Sequence, residues 1–381
     1  MSFKKILFRE LEFIKEESSL FALIILAPFF FAFFYSSVYT AKVETNIKIA
    51  VVDEDRTELS RTFTRYLDSH QQLSIYSNSL NYSEAVELVK EDEIPGFIFI
   101  DKNFEKDIKQ LKDFTLPLYL NNTRFLTSND INKAVNEVAA TMSSGIKLKY
   151  LQSIGFSKDQ SMAQIEPIRL DIRSLYNFTE SYGDFVIPGL LALILQQTLL
   201  IGISLSFAKE IEENRLPELF QFAKESFLIG SGIKIIIYLV LFAAIAFFFF
   251  SVTFDLFKIA LIGSVFDLAI LSLFYLISVS SFGFLLSTFI KKKTAVLQFF
   301  AFTSLPFFLA SGYSWPKDAM PVLINWLMHL IPSTSYLNSY VNITQKGQSL
   351  EGNLMTLILL LLLSVVYFLI GNYRLKKLPL H

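Results

Sequence analysis

The chain has 381 residues, of which 52% are hydrophobic and 18% charged, with 40 phenylalanines, a net charge of −1 and a mean hydropathy of +0.45. Soluble domains carry roughly 25% charged residues, so an ordinary soluble fold is excluded, and so is a disordered chain. The absence of cysteine removes disulfides, thiolate chemistry and Cys-based zinc sites, while three dispersed histidines and no basic stripe argue against a histidine-rich metal centre and against nucleic acid as a partner.

Residues 1–19 form a charged, amphipathic N-terminal segment containing Glu10, Glu12, Glu16 and Glu17. Residues 20–38 then give the first apolar run long enough for a helix across a hydrocarbon core of about 30 Å. The preceding acidic residues and the missing A-x-A-like site favour a retained anchor over a signal peptide. Residues 39–184 are different in kind: they carry 22 Asp/Glu and 17 Lys/Arg, against 13 and 17 in the rest of the chain. This is a water-facing domain in which strand and helix patterns alternate. Residues 46–52 read as a strand, 57–68 as a helix, 73–76 as a strand, and 83–90 as a helix capped by Ser83. A buried strand follows at 94–100, a helix at 104–111, a short strand at 116–120 and a long helix at 128–151. The alternation implies an α/β domain. Asp53, Glu54 and Asp55 read as a solvated turn at a strand end rather than as a cation site, and no catalytic constellation appears.

Further spans are expected at 185–207, 235–253, within 259–290, at 294–311 and at 354–370. The short segments assigned to one side hold Lys4, Lys5, Arg9, Lys15, Lys209, Arg215, Lys224, Lys291, Lys292, Lys293, Arg374, Lys376 and Lys377; those on the other hold only Lys258, Lys317 and Lys346. The positive-inside rule therefore puts both termini, including the 374–381 tail, in the cytoplasm. The fold class expected is an α-helical polytopic membrane protein with six transmembrane helices and an inserted extracytoplasmic α/β domain. Lys234 should snorkel to the cytoplasmic face. Gln196 and Gln197 sit midway along the second span, where polar groups mark helix interfaces or cavities. Asp267 is either intramembrane or at the outer interface.

Two segments carry more specific chemistry. Residues 208–226 are short, charged and amphipathic, suited to an interfacial helix that docks a cytoplasmic partner. Residues 311–340 are broken by Pro316, Pro321 and Pro332, with a short helix expected over 321–330 and ended by Pro332; they read as an extracytoplasmic re-entrant hairpin. His329 caps or packs that short helix.

At these segments the sequence resembles the permeases of ABC-2 type ABC transporters, in the subgroup with a large extracytoplasmic domain after the first span. Lys209, Glu210, Glu212, Glu213 and Leu219 match a KE-x-E-E-G-T-x-E-x-L pattern, while Asn214 and Arg215 replace its Gly-Thr and its last Glu falls on or beside Pro217, next to Glu218. Gly232 and Lys234 stand where the family has Gly-Lys, and Gly312, Pro316, Met320, Pro321 and Ile331-Pro332 match the hairpin signature. The resemblance implies a permease subunit that exports a hydrophobic or amphipathic substrate by ATP-driven alternating access. It implies a separate ATPase subunit holding ATP and Mg, since the chain has no G-x-x-x-x-G-K-[ST] loop and no cofactor of its own. It further implies a second permease copy or paralogue as dimer partner, a bacterial inner membrane location and, in this subgroup, a periplasmic adaptor and an outer-membrane channel. Residues 209, 210, 212, 213, 215, 218 and 219 would couple to the ATPase, and Gln196, Gln197, Phe299, Phe302 and Phe307 would line the substrate path. The alternative from another class is a membrane-anchored scaffold or sensor whose α/β domain binds a partner protein.

Overall fold

A computed structural model describes residues 2–110, 112–165, 175–177, 180–223 and 226–378. It separates into two compact units, Met1–Lys42 with Ser174–His381, and Val43–Arg173.

Among its described residues, the Val43–Arg173 unit has four strands, β1 (Ile47–Asp53), β2 (Leu73–Ser77), β3 (Gly96–Ile100) and β4 (Leu118–Leu120), in the order β2-β1-β3-β4. β1 is parallel to β2 and β3, whereas β4 is antiparallel to β3, pairing Phe97 with Tyr119. The central strand is buried on both faces, which explains its run of consecutive apolar residues. Ile47, Ile49 and Val51 point to one face, against Phe63, Leu67, Ile131 and Val135 of the helices Glu58–Asp68 and Phe125–Ser153. Ala50 and Val52 point to the other, with Ala85 of the helix Tyr82–Lys90. That helix is capped not by Ser83 but by Asn81, whose side chain accepts the Glu84 N–H while Glu84 accepts the Asn81 N–H. The reciprocal bonds satisfy two donors at once, a gain Ser83 does not have. Asp53 accepts from the backbone of Asp55 and Arg56 and from the Ser60 hydroxyl, and Asp55 accepts from the backbone of Asn103 and Glu105. The acidic turn is thus a hydrogen-bonded strand end, and no acidic or histidine cluster of metal-binding geometry occurs among the described residues.

Among its described residues, the other unit holds five helices long and apolar enough to cross a membrane: Ser18–Val38, Tyr182–Glu212, Phe227–Leu256, Val265–Ser287 and Leu350–Lys376. The expected fifth span is the shorter apolar helix Lys293–Leu309, 17 residues and about 26 Å long. Pro306 lies in its last turn, and the chain breaks from helix three residues later. The fourth long helix starts only at Val265, capped by Ser264, so Asp267 stands in its first turn and accepts the Leu350 N–H at 3.0 Å. In the first long helix a π-turn at Ala22–Leu26 precedes Pro28, whose ring displaces the carbonyl one turn back.

Two corrections concern the broken segments. Residues 208–226 are not one helix: the second long helix runs through Glu212, Asn214 turns the chain, and a separate helix Leu216–Phe222 follows, with Lys224 and Glu225 outside the described residues. Pro332 does not end the short helix, which already stops at Met328, but opens a 13-residue helix, Pro332–Thr344, at the first helical position. Proline is suited there because that N–H has no helical acceptor and its φ is already fixed.

Candidate functional site

The residues expected to couple to a partner sit where the second long helix ends. The chain reverses at Asn214, with φ +55°, a left-handed conformation that glycine and asparagine tolerate best. A glycine at this position could adopt the same backbone without strain. Pro217 then sits in the first turn of Leu216–Phe222, which buries Leu216, Leu219 and Phe220 and exposes Pro217 and Glu218. Phe220 packs on Phe227 at 4.0 Å between ring centres, joining this helix to the third long helix. Lys209 lies 4.0 Å over the Phe13 ring, Glu212 accepts the Lys293 N–H at 3.0 Å, and Arg215 bridges Glu213 and Glu218 at 3.5 and 3.6 Å.

Behind these residues lies an ionic cluster that the sequence reading missed. Lys234 does not snorkel: it is fully buried, with its ammonium 2.9 Å from Glu10 Oε1, 3.0 Å from Glu210 Oε1 and 3.1 Å from the Ser206 carbonyl. All three ammonium protons are used. Arg9 donates to the other oxygen of Glu210 and to the Arg215 carbonyl, and approaches Glu218 at 3.6 Å. Glu10 Oε2 accepts from Ser206 Oγ at 2.7 Å and from the Tyr238 hydroxyl at 3.4 Å. Two cations and two anions thus balance, as burial of charge requires. The cluster ties the N-terminal helix Ser2–Glu16 to the second and third long helices beside the reversal at Asn214. Its one sequence signal is Glu10 itself, which shares the buried stripe of that helix with Ile6, Phe13 and Ile14.

In the hairpin, Gly312 has φ +85°, and a Cβ there would strike the Lys317 side chain. Tyr313 stacks on Phe185 at 5.2 Å, donates its hydroxyl to the Phe185 carbonyl and lies against Gly189, where a Cβ would collide with its ring. Pro316 and Pro321 precede a short 3-10 turn, Lys317–Ala319, and the helix Val322–Met328, with Met320 half-buried between them. His329 Nδ1 lies 2.7 Å from the Asn325 carbonyl, at the end of that helix.

The expected path residues do not share one surface. Phe302 is 81% exposed, whereas Phe307 is 9% exposed and Phe299 half-buried. The outward position of Phe302 follows from helical spacing, because Val296 and Phe300 carry the buried side of Lys293–Leu309. Gln196 and Gln197 are both buried. The Tyr275 hydroxyl lies 3.3 Å from Gln196 Oε1, but Gln196 Nε2 and both polar atoms of Gln197 have no partner among the described residues.

Residues 18–373 match the model of the ABC-2 family transporter proteins. The chain is 26% identical over 357 residues to the probable multidrug ABC transporter permease YbhR of Escherichia coli K12, covering 90% of this chain and 89% of that protein. It is 22% identical over 345 residues to ABC transporter G family member 20 of Dictyostelium discoideum, covering 85% of this chain and 44% of that protein. It is 27% identical over 103 residues to the linearmycin resistance permease protein LnrN of Bacillus subtilis, covering 27% of this chain and 26% of that one.

Proposed function

The chain belongs to the ABC-2 family of transporter proteins, as a membrane permease subunit, and on that premise we propose that it is the membrane half of an exporter driven by a separate ATPase. The observation that carries this reading is the buried Arg9–Glu10–Glu210–Lys234 cluster behind the Leu216–Phe222 helix. An ATPase docked on the exposed Glu213 and Glu218 pushes a short helix whose inner face is already wedged against the N-terminal and third long helices. Packed interfaces of this kind switch between discrete arrangements rather than bend continuously, so a small push becomes a helix shift. ATP binding and hydrolysis in the partner then bias the bundle between inward- and outward-open states, and the substrate shifts that equilibrium only by its differential affinity for the two.

In this reading the 17-residue helix Lys293–Leu309 completes six crossings, since about 17 residues is the shortest length that spans. Both termini are cytoplasmic, the 43–173 unit is extracytoplasmic and residues 311–340 re-enter from that side. The membrane is a bacterial inner membrane. A second permease copy or paralogue pairs with this one, and a periplasmic adaptor with an outer-membrane channel completes the route. The substrate is hydrophobic or amphipathic, supported by the words multidrug and linearmycin resistance in the names of two relatives. Inverted membrane vesicles from the native host test the activity. With this chain present they should accumulate a fluorescent amphipathic dye with ATP and not with a non-hydrolysable analogue. Equal accumulation in vesicles lacking the chain refutes the exporter reading.

A further inference from the structure

The 43–173 unit has an incompletely covered core. Between the helices Phe104–Lys109 and Phe125–Ser153 a cavity of about 310 Å³ reaches down to Phe63, Phe104 and Met142, which are themselves 2, 4 and 8% exposed. Its depth has a sequence cause. Ala139 and Ser143 stand one turn apart on the long helix and place short side chains on the lining, where Met142 and Ile146 beside them are long. Small-molecule pockets start at about 300 Å³, and apolar lining with a few placed polar groups is their usual chemistry. Here the polar groups are at the rim. The lining includes Lys112 and Lys147 with Asp113. Lys112 is 3.7 Å from Asp107, a loose contact, and Lys147 has no ion pair among the described residues. Both lysines are exposed, so their stems extend the apolar wall while their ammonium groups stay in water.

We propose that this cavity binds an amphipathic anion, with a short acyl chain or fused aromatic ring against Phe63, Phe104 and Met142 and an acid group at Lys147 and Lys112. Asp113 stands on the same lining and Lys112 is shared with Asp107, so the selecting cation is Lys147, which a neutral ligand would leave unused and a cationic one would meet with like charge. The site stands apart from the transport reading: it requires only this unit's own residues. The ligand chemistry has two sources, a fatty acid from membrane lipid or an aromatic acid passing outward, and the experiment separates them.

The test uses the full-length chain in phosphatidylcholine nanodiscs and a decanoic acid bearing a photoreactive diazirine at its tail, with cross-linked peptides mapped by mass spectrometry. Saturable labelling is expected in residues 104–116 or 139–147. Decanoate or 1-naphthoate should compete for it and decyltrimethylammonium at equal concentration should not. Stronger competition by decanoate assigns the lipid source, stronger competition by naphthoate the aromatic one. Ala139→Trp, which fills the cavity, should abolish the label. Because that change alters the core, Lys112→Gln with Lys147→Gln provides the second arm; it leaves the core intact and should weaken competition by about tenfold. Unsaturable labelling, equal competition by the ammonium compound, or undiminished competition in the lysine pair variant each overturns the proposal.

Discussion

Replacing Lys234 by methionine isolates the energetics of the buried cluster. Methionine keeps the length and apolar stem but removes the charge, leaving Glu210 with Arg9 and Glu10 with no ion-pair partner among the described residues. The lost contacts are at 2.9 and 3.0 Å, each worth about 6 kcal/mol of gross Coulomb attraction at an effective dielectric near 20. Desolvation offsets most of that attraction, and breaking a buried pair from one side costs a net of about 3–5 kcal/mol. At roughly 2–4 °C per kcal/mol for a unit of this size, Lys234→Met should lower the apparent melting temperature by about 6–20 °C. Fluorescence-detected size exclusion after heating in detergent measures it. Adding Glu10→Gln restores charge balance, because Arg9 still faces Glu210 and the new side-chain amide oxygen still accepts from Ser206. The double variant should therefore recover at least half of the loss. A single variant within about 1 kcal/mol of the parent, or a second change that deepens the loss, refutes the reasoning.

Three further outcomes follow from other parts of the chain. The protein has no cysteine, so a single introduced one reports sidedness: Ser79→Cys should react with a membrane-impermeant maleimide on intact spheroplasts and Lys376→Cys only after permeabilisation, and the reverse pattern inverts the topology. Gln197 is buried with neither polar atom partnered among the described residues, so Gln197→Leu should leave thermal stability unchanged or raise it by about 1–3 kcal/mol, while a loss of more than 1 kcal/mol contradicts the packing described. Asp130 has its pKa raised, first by burial and then by Glu44. The folded state then holds its proton more tightly than the unfolded state, so stability falls as pH rises from the ordinary aspartate range through that raised value. Asp130→Asn should slow hydrogen exchange in the helix Phe125–Ser153 relative to the parent at pH 7, with the difference vanishing at pH 3; a difference that persists at pH 3 removes the carboxylate from the explanation.

The parts of the fold that were legible in the sequence are those written in local patterns. β1 showed itself because both its faces are buried, and the long helices because each carries a sustained apolar run. Asn81 was readable in principle, since Asn81 and Glu84 have the spacing of a reciprocal cap, but Ser83 lies inside the same window and competes for the assignment. Pro332 misled because proline ends one helix and begins another with equal ease; only the buried Tyr336 and Tyr340 that follow decide between them. The ionic cluster was least legible. Lys234 alone reads as a lysine near a helix end, and its partners Glu10 and Glu210 lie 224 and 24 positions away in the chain, so the pairing exists only after three helices have packed. Of the residues proposed for coupling, the separation into exposed Glu213 and Glu218 and buried Glu210 likewise depends on that packing.

The central claim, that this chain couples to a separate ATPase through the segment ending at Phe222, is tested most directly by purification from native membranes in mild detergent. The chain is taken as it stands and with Glu213→Lys and Glu218→Lys together, two exposed changes outside the buried quartet. The account predicts an ATPase subunit that accompanies the unmodified chain and is lost from the variant, with both preparations eluting as the same folded species. No ATPase in either preparation contradicts it, and an ATPase retained equally by the variant contradicts the assigned docking segment.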